Sequence, residues 1–255
     1  MADQLSLPLG ATVDRLPDLP DLRPMLARPL PEAFDSEQHL FEPWWGGVRA
    51  LVSIGPADRA GDGDVRIVDA EGIDRTAALP ELAGTAVRVT ARSAILDGEL
   101  VVVDAHGRAD DPALTERLDG TPGRPVAFLA FDLLHLDGQS LLGLQLVKRR
   151  ELLRRTLRPG DEVVAVPAIA TEGRALFDAI VEQGLAGMMA RQRQSPYLAG
   201  VRSRLWRYIP AIAGSVPEDE LAEAPAEPAA TSATAPVLAM LSRLPLDDAA
   251  ADRSA

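Results

Sequence analysis

AILDGELVVVD, residues Ala94 to Asp104, and FLAFDLLHLDG, residues Phe128 to Gly138, point to a fold built on β-sheet. Each is an apolar run, rich in Leu, Ile, Val or Phe, and each is closed by Asp or Gly. The second run begins at Val126 and continues to Leu134, and both read as strands. Working outward, Val48 to Ile54 and Val65 to Asp69 have the same character. Leu146 to Leu157 instead spaces Leu146, Leu153 and Leu157 among Arg and Glu and stops before Pro159-Gly160, while Glu172 to Gln183 repeats that pattern and ends at Gly184. Those two are helices. Most gaps between strands are too short for a parallel crossover, so the expectation is an α+β domain on antiparallel sheet.

The two ends have a different composition. Residues 1–22 alternate Pro, Asp and Leu without a period, and residues 211–255 are rich in Ala, Pro, Glu, Ser and Thr. Both are expected to be disordered, which leaves 23–210 as the folded domain. Within the C-terminal stretch, Val237 to Leu244 spaces Leu238, Leu241 and Leu244 by three. A frayed end is the expectation there, and a short docking helix is the alternative.

With 255 residues, 47% of them hydrophobic, the chain buries a substantial core. No run approaches the roughly 18 apolar residues of a membrane span, and the first residues lack a basic segment followed by an apolar one. The expected location is the cytoplasm, away from membranes. Absence of cysteine excludes disulfides and cysteine-ligated zinc, and His39, His106 and His135 stand apart, so any metal would sit on carboxylates. The formal charge of -12 argues against a simple electrostatic DNA clamp. Residues 1–22 carry -3 of it and 211–255 carry -6, so the domain between them is only -3. Of 26 basic residues 25 are Arg, and the one lysine is Lys148.

From Pro24 to Pro210 the order of segments resembles the adenylation domain of bacterial ATP-dependent DNA ligases. Pro24-Met25-Leu26-Ala27 is similar to that family's opening. FEPWWGGVRA (Phe41 to Ala50) resembles its first signature, Glu-Pro-Lys-Trp-Asp-Gly-x-Arg, with Trp44 in the lysine position and Gly46 in the aspartate position. GIDRTAALPEL (Gly72 to Leu82) is similar to the segment after a Ser-Arg-Asn-Gly turn, with Ala70 where the arginine is expected. AILDGELVVVD resembles the signature that places Glu99 near metal and ribose, and FLAFDLLHLDG the one in which Phe131 would stack on adenine. GLAGMMARQRQSPY (Gly184 to Tyr197) resembles Gly-x-Glu-Gly-Val-Val-x-Lys, with Ala186 for the glutamate and Arg191 for the lysine. RSRLWRYIP (Arg202 to Pro210) resembles Ser-x-x-Trp-x-Lys-x-Lys, with Tyr208 and Pro210 at the lysine positions. The resemblance implies an ATP-grasp-like nucleotidyltransferase domain. The low-complexity residues that follow cannot build the five strands of an oligonucleotide-binding (OB-fold) barrel.

In that family a lysine attacks the α-phosphate of ATP, and the AMP then passes to a 5′-phosphate on DNA. The amine must shed its proton to attack. Arginine stays protonated, with a pKa above ~12, and an indole has no lone pair to offer. Trp44 therefore leaves the nucleophile position empty of chemistry, and no catalytic residue is assigned. Lys148 lies in LVKRRELLRR, at the start of a helix whose exposed face reads as basic. A surface role is expected for it.

Asp97-Gly98-Glu99 alone reads as a strand turn; within the family frame Glu99 becomes a residual metal site. Phe131 is a stacking residue or ordinary core, and periodicity does not separate the two. The resemblance assigns Glu42, Arg49, Glu99, Phe131, Arg191 and Arg207 to a nucleotide cleft, with Arg202 and Arg204 near it. Trp44, Trp45 and Trp206 are candidates to fill that cleft. Arg149, Arg150, Arg154 and Arg155 are candidates for a solvated basic helix face. ATP and Mg²⁺ are the ligands implied, although the missing acids and lysines weaken both. The expectation is a catalytically inactive ligase-like protein with residual nucleotide or DNA-end binding, acting with DNA ends or repair proteins. Its rivals are an active ligase in DNA repair and recombination, and an interaction protein with a tryptophan-filled pocket. The sequence sets no oligomeric state.

Overall fold

The structure, a computed structural model, describes residues 21–55, 64–211 and 232–246. The expected mobile ends fall largely outside those residues. The strands are β1 (Leu26–Pro29), β2 (Ser36–Trp44), β3 (Val48–Ile54), β4 (Val65–Asp69), β5 (Ala94–Val101), β6 (Ala127–Leu136), β7 (Gln139–Ser140), β8 (Val163–Ala165), β9 (Ile169–Thr171), β10 (Gly187–Gln192) and β11 (Arg202–Pro210). The helices are α1 (Thr85–Arg88), α2 (Asp111–Leu118), α3 (Leu146–Thr156), α4 (Gly173–Glu182) and α5 (Ala235–Leu241). Both sheet-deciding runs are central strands, β5 and β6.

One sheet runs β4-β3-β5-β6-β7, with β8 added beside β6; the other runs β1-β11-β10-β2-β9. Pairing is antiparallel except for β6 with β8 and β1 with β11. The two parallel pairs depart from the all-antiparallel expectation for one reason. Their connections are long: α3 lies between β6 and β8, and nearly the whole domain lies between β1 and β11.

Every residue of β5 is buried, because both faces of the sheet are covered. Leu96 and Leu100 pack with Ala50, Val52, Phe128 and Ala130 in one core cluster on the outer face. The alternate residues Asp97 and Glu99 point the other way, toward the second sheet. Gly98 allows β5 and β6 to lie close, since a Cβ there would meet the Phe128 ring at 2.4 Å. On the second sheet, Phe41, Met188, Ala190 and Ile209 face α4 and pack with its Leu176 and Ile180. The residues between them, including Glu42, Met189, Arg191 and Trp206, face β5 and β6. A cleft between two sheets thus follows from period-2 alternation in each.

Two elements depart from the sequence reading. The basic helix α3 is half interior, because Arg149 is wholly buried and Arg150 is 5% exposed. The segment Val237 to Leu244 is no frayed end. It forms α5 and buries Val237, Met240, Leu241 and Leu244 against the core that holds Trp45 and Val103, while Leu238 stays 44% exposed. Ala233 and Thr234 donate backbone N–H to Asp161 O, and the Thr234 hydroxyl donates to Gly160 O at 2.6 Å.

Candidate functional site

A small cavity of about 70 Å³ opens between the sheets, lined by Glu42, Pro43, Trp44, Gly47, Arg49, Glu99, Phe131, Val166, Met189 and Arg191. Five of the six residues expected around a nucleotide are among them. Arg207 is not. It follows Trp206 by one residue on β11 and so faces the opposite side of the sheet, where its charge acts on His39. Arg202 and Arg204 are exposed, and Arg202 is tied to Ala27 O at 2.8 Å.

Trp44 ends β2 at the cleft, its ring tilted against Tyr208 with centroids 5.6 Å apart. The chain then turns through Gly46, whose φ of +85° is the left-handed conformation that glycine tolerates. A Cβ at Gly46 would stand 3.0 Å from the Ala186 Cβ. The two positions where the resemblance expects acids are therefore neighbours, and both are bare. Gly47 is held so near β5 that a Cβ would meet Leu100 O at 2.2 Å. Its N–H donates to the Glu99 carboxylate, which the amides of Trp45 and Gly46 also face.

Glu99 is buried, and that burial pushes its carboxyl up to about 7 against the pull of the Gly47 amide and Arg49. Among the described residues no group of three or more His, Asp or Glu is placed to hold a metal ion. One carboxyl capped by backbone amides, beside bare Gly46 and Ala186, does not fit Mg²⁺, which needs oxygen ligands around it.

The cations of the cleft are committed to partners. Arg49 grips Asp97 through two contacts of 2.6 Å. Asp97 also accepts from Tyr197 Oη at 2.7 Å, and that oxygen in turn accepts from Met25 N–H at 2.9 Å. Burial opposes the Arg49 charge, but the Asp97 carboxylate outweighs it and raises its pKa. Glu42 is bound by two guanidinium groups, Arg150 at 2.5 Å and Arg191. Arg150 also donates to Phe131 O and Val166 O. Burial pulls Arg150 down to about 10 and Arg191 down to about 9, so both remain cations at neutral pH. The Arg191 guanidinium lies 3.9 Å from the centre of the Phe131 ring and 4.5 Å from Trp206.

The cleft is not filled by tryptophan. Trp45 turns into the core and donates its indole N–H to Gly107 O at 2.9 Å, and Trp206 is buried with Met25 and Tyr197, leaving Trp44 alone as a wall. Lys148 is away from the cleft lining, 65% exposed and paired with Glu151 at 3.4 Å. Sequence reasoning missed Met189 in the cleft lining and Arg150 as the buried partner of its Glu42. For Arg150 a signal existed: Leu146, Arg149, Arg150 and Leu153 share one helical face, so the leucines that bury the helix carry the arginines in with them.

Residues 24–208 match the family model of the ATP dependent DNA ligase domain. The chain is 34% identical over 187 residues to the multifunctional non-homologous end joining DNA repair protein LigD of Mycobacterium tuberculosis, covering 73% of this chain and 23% of that protein. It is 26% identical over 184 residues to the SPbeta prophage-derived DNA ligase-like protein LigB of Bacillus subtilis, covering 72% of this chain and 65% of that one. A solved structure of mycobacterial DNA ligase D complexed with ATP and MES superposes with a TM-score of 0.64 at 30% identity, covering 76% of this chain and 61% of that one. The chain thus spans about a quarter of the length of the LigD proteins it matches.

Proposed function

The chain belongs to the ATP-dependent DNA ligase domain family, and from that premise we propose that it is a non-catalytic member that binds at its cleft without transferring nucleotide. One observation carries the reading. The position of the attacking lysine is Trp44, in the wall of the cleft, and the chain's single lysine is a solvent-facing residue of α3. An indole cannot form the phosphoramidate, and arginine held as a cation cannot attack. The missing acids at Gly46 and Ala186 remove the metal that would neutralise a triphosphate. What remains is suited to weak binding of a nucleotide or of the phosphate at a DNA end, since Arg150 and Arg191 share the single carboxylate of Glu42 and leave a net positive charge beside the cleft.

The LigD relatives are named for end joining, so the setting we propose is DNA-end repair in the cytoplasm, alongside DNA ends or repair proteins. No helix of the described residues is long and apolar enough to cross a membrane. A nicked duplex with a 5′-phosphate, ATP and Mg²⁺ provides the test. No sealed product is expected at any protein concentration, and sealing that depends on ATP would overturn the proposal. A second reading, a fold kept for interaction alone, draws on the same 70 Å³ cavity, well below the ~300 Å³ of ordinary ligand pockets. On that reading neither ATP nor a 5′-phosphorylated duplex moves the melting temperature; on the first, one of them does at millimolar concentration.

A further inference from the structure

Phe131 offers the buried aromatic face of the cleft, 5% exposed on β6. Trp44, the other aromatic side chain of the cavity lining, is tilted against Tyr208, and Trp45 is turned into the core, so Phe131 is the face on which a flat ring entering between the sheets would stack. That face already has an occupant. The Arg191 guanidinium, itself planar, lies 3.9 Å from the ring centre, and the Arg191 residue is 1% exposed. A guanidinium over an aromatic ring is attracted by the ring's negative face, which holds it in place without any ligand.

The attachment is also built to release. Arg191 Nε is buried and has no hydrogen-bond partner, so the side chain leaves no such bond behind if it moves. Its carboxylate partner Glu42 retains Arg150 at 2.5 Å, and Arg150 is further fixed by Phe131 O and Val166 O. Glu42 therefore keeps one cation when Arg191 withdraws, and the large penalty of an unpaired buried charge is avoided. Arg49, the other guanidinium on the Phe131 ring at 4.4 Å, has no such freedom, being clamped by Asp97.

We propose that Arg191 is an internal plug: its guanidinium occupies the stacking seat on Phe131, and a purine base enters only when Arg191 swings away. The seat is closed in the resting protein and its affinity is lowered by the fraction of time it is open. This deepens the proposed binding role of the same cleft and rests on it, but is independent of whether the chain can transfer AMP.

The probe is adenosine, which has no phosphate to transfer or to attract a cation, titrated calorimetrically into wild type and into Arg191→Ala. Arg191→Gln, shorter than arginine and able to hydrogen-bond Glu42, serves if the alanine variant does not fold. The expected result is adenosine binding at least about tenfold tighter in the variant than in wild type. Adding Phe131→Leu to the variant should abolish the gain. Equal affinity for wild type and variant overturns the plug, as does weaker binding in the variant, which would make Arg191 part of the ligand site. A folded variant that binds no adenosine overturns it too. None of these outcomes depends on covalent labelling, so failure here and failure of the non-catalytic reading are told apart.

Discussion

Asp132 and Arg149 meet with no side-chain exposure on either partner, through contacts of 2.9 and 2.8 Å. Arg149 also donates to Leu144 O and Ser195 O, so a single guanidinium ties β6, the start of α3 and the loop after β10 together. Asp132→Ala strands that charge in the core and should cost about 3–5 kcal/mol in urea unfolding. Lys148→Ala, on the exposed side of the same helix, should stay within about 0.5 kcal/mol of wild type. Glu99 sets a different dependence. Its folded carboxyl titrates near 7 against an ordinary 4.5, so between those values the folded state holds a proton that the unfolded chain has released. The group's contribution is complete below the unfolded value and is lost as pH rises through the folded one. Unfolding free energy should therefore fall by about 3 kcal/mol from this residue alone as pH rises from about 4.5 to about 7. Glu99→Gln should flatten that part of the profile, and an unchanged slope would contradict the assignment.

At the scale of elements, α3 and α5 show where the reading of residues stops. Strands β3 and β4 coincide with their apolar runs because a sheet buried on one or both faces leaves a contiguous signal. For α3 the leucine spacing located the helix, but charge was read as exposure. The structure reverses that for Arg149 and Arg150, whose buried acids, Asp132 and Glu42, come from β6 and β2. Such partners are distant in sequence, so spacing along one helix does not name them. For α5 the leucines were visible, but the face was wrong: Val237, Met240, Leu241 and Leu244 go inward. Met240 and Pro236 press on Gly107, whose carbonyl holds the Trp45 indole, so α5 braces the turn that follows β2. Gly107 has φ +84°, and a Cβ there would meet Pro236 O at 2.5 Å and Met240 Cβ at 2.8 Å. Gly107→Ala should release α5, read as faster amide exchange at 235–241 with slow exchange retained in β5. Unchanged protection of α5 would show that the close approach is not what seats it.

For the whole molecule, the α+β class, the four antiparallel strands β3 to β6 and the ligase resemblance were legible in the sequence, whereas the strands of the second sheet, β1, β2, β9, β10 and β11, were not read as strands. The family match confirms that resemblance over residues 24–208, which contain both sheets and the whole cleft lining. Less legible was what fills the cleft. The three tryptophans were candidates to fill it, but the turn after β2 carries Trp45 into the core, and strand alternation in β10 brings Arg191 onto Phe131 instead. Arg207 was misplaced because a resemblance identifies a position, whereas the facing of a side chain is set by its register in the strand. The departures from the family pattern that the proposal rests on, Trp44 and Gly46 in one signature and Ala186 in another, meet only when β2 and β10 pair. Whether this fold carries AMP on itself, which the proposed function denies, is decided by incubating the purified chain with ATP labelled at the α-phosphate and Mg²⁺, then counting label on the denatured protein beside a Lys148→Ala control. The account predicts no label on either protein; label on the wild type that disappears in the control would make Lys148 the nucleophile, and label on both would place it elsewhere, each contradicting the account.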